Sequence, residues 1–148
     1  TVEQQSAVFT LKHIREELIF GTKTVWRGQT RIAVSDIHRT IVDMLDDPAI
    51  GGGIQHVEDC FSQYMKRSDR DPAKLVAYAE QHGNGAIFKR LGFLAERHPD
   101  GKTLVKEAKA RLTKGHAKLD PALACSRLVT RWRLRVPESW LKGAAHDR

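Results

Sequence analysis

The segment 34–53, V-S-D-I-H-R-T-I-V-D-M-L-D-D-P-A-I-G-G-G, constrains this chain more than any other, because both ends of a helix are written in it. Ser35 or Asp36 can accept hydrogen bonds from the first free backbone N–H groups. Ile37, Ile41, Met44 and Leu45 then fall on one face at helical spacing. Pro48 and the run Gly51, Gly52, Gly53 stop the helix and turn the chain. Arg39 and Asp43, on the opposite face, are i,i+4 neighbours and can pair.

The rest of the chain reads outward from that helix. Upstream, residues 7–14 are rich in strand formers, and Glu16, Glu17 and Leu18 suggest one helical turn. Residues 20–26 and 30–34 flank Arg27-Gly28-Gln29, a hairpin signal, with Ile32 and Val34 on one face and Arg31 and Ala33 on the other. Downstream, Ile54, Val57, Phe61 and Met65 make the stripe of a second helix. Asp71 caps a third, with Pro72 at its first position, where a missing N–H costs nothing. A fourth, 85–97, aligns Ile87, Leu91 and Leu94. Gly92 within it costs about 1 kcal/mol against alanine, which predicts a close helix crossing there. In a fifth, 103–112, Leu104, Ala108 and Leu112 face inward, and Lys102, Lys106 and Lys109 form a basic stripe on the far side. The stretch 128–136 alternates as a last strand, with Thr130, Trp132, Leu134 and Val136 on one face and Arg131, Arg133 and Arg135 on the other. Residues 1–5 and 143–148 read as frayed ends. The order predicts a single α+β domain over 1–148. A small, mainly antiparallel sheet, the N-terminal hairpin plus the C-terminal strand, packs with a block of about five helices.

With 148 residues the chain is about one domain, and 41% hydrophobic with 29% charged residues is a globular composition. No apolar run approaches the roughly 20 residues of a bilayer span, and no signal peptide opens the chain. A cytoplasmic protein with no membrane partner is expected. Cys60 and Cys125 are far apart and read as reduced thiols. None of the seven histidines pairs at metal-ligand helix spacing, and no phosphate-loop, dinucleotide or nucleophile-elbow motif is present. No metal, no cofactor and no catalytic residue is therefore expected. Asp36, Asp43, Asp46 and Asp47 are the carboxylates a Mg²⁺-dependent nuclease-like enzyme would use, but capping and solvation account for them.

Charge is the strongest compositional fact: a formal net charge of +7 and a sequence pI of about 9.7 suit phosphate backbones and acidic partners. The candidate binding residues are Arg131, Arg133 and Arg135 with Arg127 before them, the stripe Lys102, Lys106 and Lys109, and Lys89 and Arg90 beside Gly92. Arginines on alternate strand positions project one way and can meet successive anions. These patches are expected to form one continuous basic surface.

The pieces I-R-E-E-L-I-F-G, the segment 34–53, F-K-R-L-G-F-L-A-E, and finally L-D-P with R-W-R-L resemble, in order and spacing, the C-terminal domain of AbiEi-type antitoxins. The likeness runs from about Ile14 to Leu134. It implies a transcriptional-regulator domain of an abortive-infection toxin–antitoxin system, associated with neutralising a nucleotidyltransferase-like toxin. It also implies an N-terminal winged helix that binds operator DNA, which is not visible in this chain. That absence, with an opening at Thr1, suggests a fragment or a stand-alone version. The family pattern of an acidic residue followed by R-T-x-x-D is matched at Arg39, Thr40 and Asp43, with His38 in the acidic position. Expected partners are operator DNA, the cognate toxin and a homo-oligomer. The alternative is a general nucleic-acid-binding module.

Overall fold

The structure, a computed structural model, describes residues 2–4, 7–9 and 11–141, the first two stretches as backbone only. The chain runs β1 (Val2–Gln4), β2 (Ala7–Phe9), a 3₁₀ turn (Glu16–Leu18), β3 (Thr22–Arg27) and β4 (Thr30–Ser35). The helices follow: α1 (Ile37–Asp46), α2 (Ile54–Met65), α3 (Pro72–His82), α4 (Ala86–Ala95) and α5 (Lys102–Ala110), the last entered through a 3₁₀ turn at Pro99–Gly101. The chain closes with β5 (Ala117–Lys118), β6 (Arg127–Val129), a 3₁₀ turn (Thr130–Trp132) and β7 (Leu134–Val136). This is the expected α+β class with a block of five helices. Val2–Gln4 is paired with β2 rather than frayed; the expected frayed stretch 143–148 lies outside the described residues. Among the described residues no helix is long and apolar enough to cross a membrane.

Two expectations about the strands are corrected. The N-terminal hairpin and the C-terminal strand do not share a sheet: among the described residues β3 pairs only with β4, while β5, β7 and β6 form their own three-stranded sheet, with β7 in the middle. The stretch 128–136 is also not one strand. Arg133 takes φ 52°, the left-handed region, and the 3₁₀ turn before it separates β6 from β7 so that the two pair antiparallel. The inside–outside alternation survives the break: Trp132, Leu134 and Val136 are buried and Arg131, Arg133 and Arg135 are exposed.

The core lies around α4, in which every residue from Ile87 to Ala95 is buried. Leu45 of α1, Phe61 and Tyr64 of α2, Leu75 of α3, Leu104 of α5 and Trp132 close on it. Gly92 does mark a close approach, but of a side chain rather than a helix: a Cβ there would lie 2.1 Å from the Trp132 ring. The helix starts follow local chemistry. Asp36 accepts the N–H of Arg39 at 2.8 Å and Asp71 that of Lys74 at 3.1 Å. Helix α2 opens on Gly53 at φ 92°, without a side chain to cap it, and Asp120 supplies the acceptor, taking the Ile54 N–H at 3.1 Å.

Helix α1 is turned further into the molecule than its apolar spacing suggests. Its buried residues are His38, Arg39, Ile41, Val42 and Leu45, with Ile37 and Met44 half-buried. Arg39 is therefore not on a solvent face; it is 5% exposed.

Candidate functional site

The structure separates the sequence-predicted residues into three groups. The first is the motif Arg39, Thr40 and Asp43, which is scaffold. Arg39 Nε donates to Asp43 at 2.8 Å, and its terminal nitrogen donates to the carbonyls of Leu18 and Phe20. Its guanidinium lies 4.1 Å from the centre of the Phe20 ring. Thr40 Oγ donates to the Asp36 carbonyl at 2.9 Å, which the i−4 spacing allows inside a helix. The Arg39 fork thus ties the segment before β3 onto α1. His38, the residue before Arg39, is an acceptor here: its Nε2 takes the Asp71 N–H at 3.0 Å. Burial, with the charge of Lys74, holds its pKa below the ordinary histidine value.

The second group, Lys89 and Arg90, is buried at 4% exposure each and does not contribute to an outer surface. Arg90 donates to the carbonyls of Lys118, Leu45 and Asp46, so it joins the end of α1 to β5 across α4. Lys89 donates to Thr113 Oγ1 at 3.0 Å. Burial, and then the charges of Arg133 and Arg90, push its ammonium below the usual lysine range. The physical reason for both corrections is the same. Both side chains leave the buried stretch of α4 and reach oxygens of neighbouring segments, which satisfy the buried cations.

The third group is exposed, and only part of it converges. Lys102, Lys106 and Lys109 of α5 line one groove together with Arg131, which the 3₁₀ turn carries to its edge. The groove encloses about 1120 Å³, and its other walls are Phe93, Val105, Trp132 and Leu141 with the loop from Glu96 to Pro99. Lys109 lies 4.7 Å from the centre of the Trp132 ring and donates to the Arg131 carbonyl at 2.6 Å. Arg131 grips Glu96 with both Nε, at 3.0 Å, and a terminal nitrogen. Glu96 is the only carboxylate lining the groove among the described residues, and it is engaged in that pair. Lys102 and Lys106 have no carboxylate within ion-pair distance among the described residues.

The remaining arginines do not join this surface. Arg133 donates to the Thr113 carbonyl at 2.8 Å, Arg127 is 3.5 Å from Glu138, and Arg135 lies opposite Leu128 on the outer face of the C-terminal sheet. The expected continuous patch is thus one groove with four of the nine predicted cations. Sequence reasoning passed over another basic element. Hairpin β3–β4 exposes Lys23, Arg27 and Arg31, with Trp26 61% exposed beside them. Its signal was available: three cations and a tryptophan around a glycine turn.

The carboxylates considered for catalysis are each engaged structurally. Asp36 caps α1 and accepts from Tyr78 at 2.7 Å; Asp43 holds Arg39. Asp46 meets Asn84 at 2.6 Å and Lys12 at 3.1 Å, and Asp47 accepts the Ile50 N–H. Burial acts to raise the Asp46 pKa, but the hydrogen bonds from Asn84 and Lys12, with His82 nearby, outweigh it and hold the group below its ordinary range. Comparison with known protein families, with characterised proteins and with solved structures gives no match for this chain.

Proposed function

We propose that this chain is a binding domain of the antitoxin type. It neutralises a nucleotidyltransferase-like toxin and, together with a winged-helix domain, takes part in repressing the operon of the pair. The cytoplasm, where such a toxin acts, is its expected location. The observation that carries the reading is the groove: Lys102, Lys106, Lys109 and Arg131 around an apolar floor, the three lysines without a carboxylate partner among the described residues, on one helix and a turn. Such a surface suits binding of an acidic, partly apolar partner. The resemblance of the motif segments supplies the identity of the partner. The test is co-expression of the chain with the nucleotidyltransferase-like protein encoded beside it. Growth is expected to be restored; continued arrest at matched protein levels overturns the reading.

A second reading, a general nucleic-acid-binding module, is favoured by the β3–β4 hairpin. A two-stranded ribbon fits the major groove, and Lys23, Arg27 and Arg31 would neutralise phosphates. A mobility shift with duplex DNA decides it. Binding that weakens steeply with salt, that is lost on converting these three residues to glutamate, and that occurs without any effect on the toxin would favour this module.

A further inference from the structure

The groove beside α5 has two properties that together select a class of occupant. Its floor is apolar: Phe93, Val105, Trp132 and Leu141. Its rim is cationic, and the cations are spaced as a helix spaces them. Lys102, Lys106 and Lys109 stand at i, i+4 and i+7 along α5, about 10 Å from first to last. A phosphate backbone matches the rim but wastes the floor, since its outward surface is charged along its length. The segment following Leu141 carries Lys142, Asp147 and Arg148, more positive than negative charge, and so repeats the charge of the rim.

We infer that the groove receives an acidic amphipathic helix of the partner protein, its leucine-like face on Phe93, Val105 and Trp132 and its carboxylates on Lys102, Lys106 and Lys109. This is the helix-in-groove mode, with anchors one and two turns apart. Because Glu96 is already engaged by Arg131, the rim presents no free carboxylate among the described residues to repel such a helix. The inference rests on the reading of the chain as a toxin-binding domain, and it names the part of the partner that is held.

The probe is a labelled synthetic peptide of about 15 residues with an apolar stripe and glutamates at i, i+4 and i+7, read by fluorescence anisotropy against the full chain. A twin peptide carries glutamine for glutamate. The acidic peptide is expected to bind, to weaken with added salt, and to bind at least tenfold more tightly than its twin. Lys102→Glu/Lys106→Glu, at two exposed positions that leave the melting temperature unchanged, is expected to weaken it at least tenfold. Val105→Ser is expected to weaken both peptides. Equal binding of the twins, or indifference to the double variant, overturns the inference. So does a single-stranded oligonucleotide that displaces the peptide and responds more strongly to the double variant. Self-association in sedimentation that the double variant abolishes would put a second copy in the groove and also overturn it. The two readings fail separately. Toxin rescue by the double variant removes the groove's role and leaves the antitoxin function standing. Absence of rescue by the wild-type chain, with peptide binding intact, removes the toxin and leaves the groove.

Discussion

At Gly92 a single hydrogen atom is the whole margin. An added Cβ would lie 2.1, 2.3 and 2.5 Å from three atoms of the Trp132 ring, which is buried and has Lys109 4.7 Å from its centre. Alanine gains about 1 kcal/mol in helix propensity, but forcing the ring out of place in a full core costs about 1–3 kcal/mol or more. Gly92→Ala is therefore expected to lower stability, by up to about 2 kcal/mol net, in urea denaturation. Trp132→Leu frees the space, so the two changes together should cost less than their sum; strict additivity would show that the ring is not what the glycine accommodates. His38 sets a condition of another kind. Its Nε2 accepts the Asp71 N–H only while the ring is neutral, and burial with Lys74 depresses its pKa below 6.5. As pH falls through 6.5 the unfolded chain takes up the proton first, so this contribution is complete above that pH and declines below it until the folded ring is protonated. Glutamine offers a non-titrating oxygen at the same reach. His38→Gln should flatten the fall in thermal midpoint just below neutrality. The deeper acid loss would remain, because Asp36 and Asp46, with pKa values held below 3.8, contribute stability above that value and lose it on further acidification. An unchanged profile in the variant would assign the fall to other groups.

Helix α2 shows how an element depends on chemistry that lies far away in the chain. Asp120 stands 66 positions from Ile54 and accepts its N–H, while its other oxygen accepts the Ala122 N–H at 2.9 Å. Removing it leaves the buried Ile54 N–H at the positive end of α2, and the part-buried Ala122 N–H of the following turn, without their acceptor. Asp120→Ala is expected to cost about 1–3 kcal/mol in chemical denaturation, and Asp120→Asn less, since its one amide oxygen can serve only one of the two donors. Equal stability of all three proteins would show that water serves the helix end as well. The same distance explains what could be read from the sequence. Caps whose donor is three residues from the acceptor, at Asp36 and Asp71, were legible, as were the five helices and the lysine stripe of α5. The α2 cap was not, because nothing local marks it. Nor was the burial of Lys89 and Arg90, whose charge points to solvent until the carbonyls of Leu45, Asp46 and Lys118 are brought to them. The last strand was legible as an alternation of burial but not as two strands, because only the positive φ of Arg133 breaks it. The groove was half legible: α5 gives its lysines their spacing, but the turn that adds Arg131 depends on that break.

Across the whole molecule, stability is unevenly distributed. None of residues 11–37 is fully buried, whereas α4 is buried along nearly its full length. A two-stranded hairpin is marginal by itself, so β3–β4 stays in place through what holds its root. That is the Asp36 N–H on the Gly21 carbonyl at 2.7 Å, the Arg39 fork on the Leu18 and Phe20 carbonyls, and Phe20 between Arg39 and Tyr78. The hairpin should therefore open without the helices unfolding. Amide hydrogen exchange is expected to be roughly 1,000-fold faster in β3–β4 than in α4. Lysine at position 39 keeps the charge but cannot span two carbonyls and Asp43 at once. Arg39→Lys should then raise exchange further in β3–β4 and speed trypsin cleavage after Lys23, Arg27 and Arg31, with protection in α4 and α5 lowered much less. If the variant lowers protection in α4 by as much as in the hairpin, the arm and the helical block unfold as one unit and this division of the molecule is wrong. If only the hairpin responds, its basic edge is carried on an arm that moves independently of the groove, and a partner can engage the two surfaces one after the other.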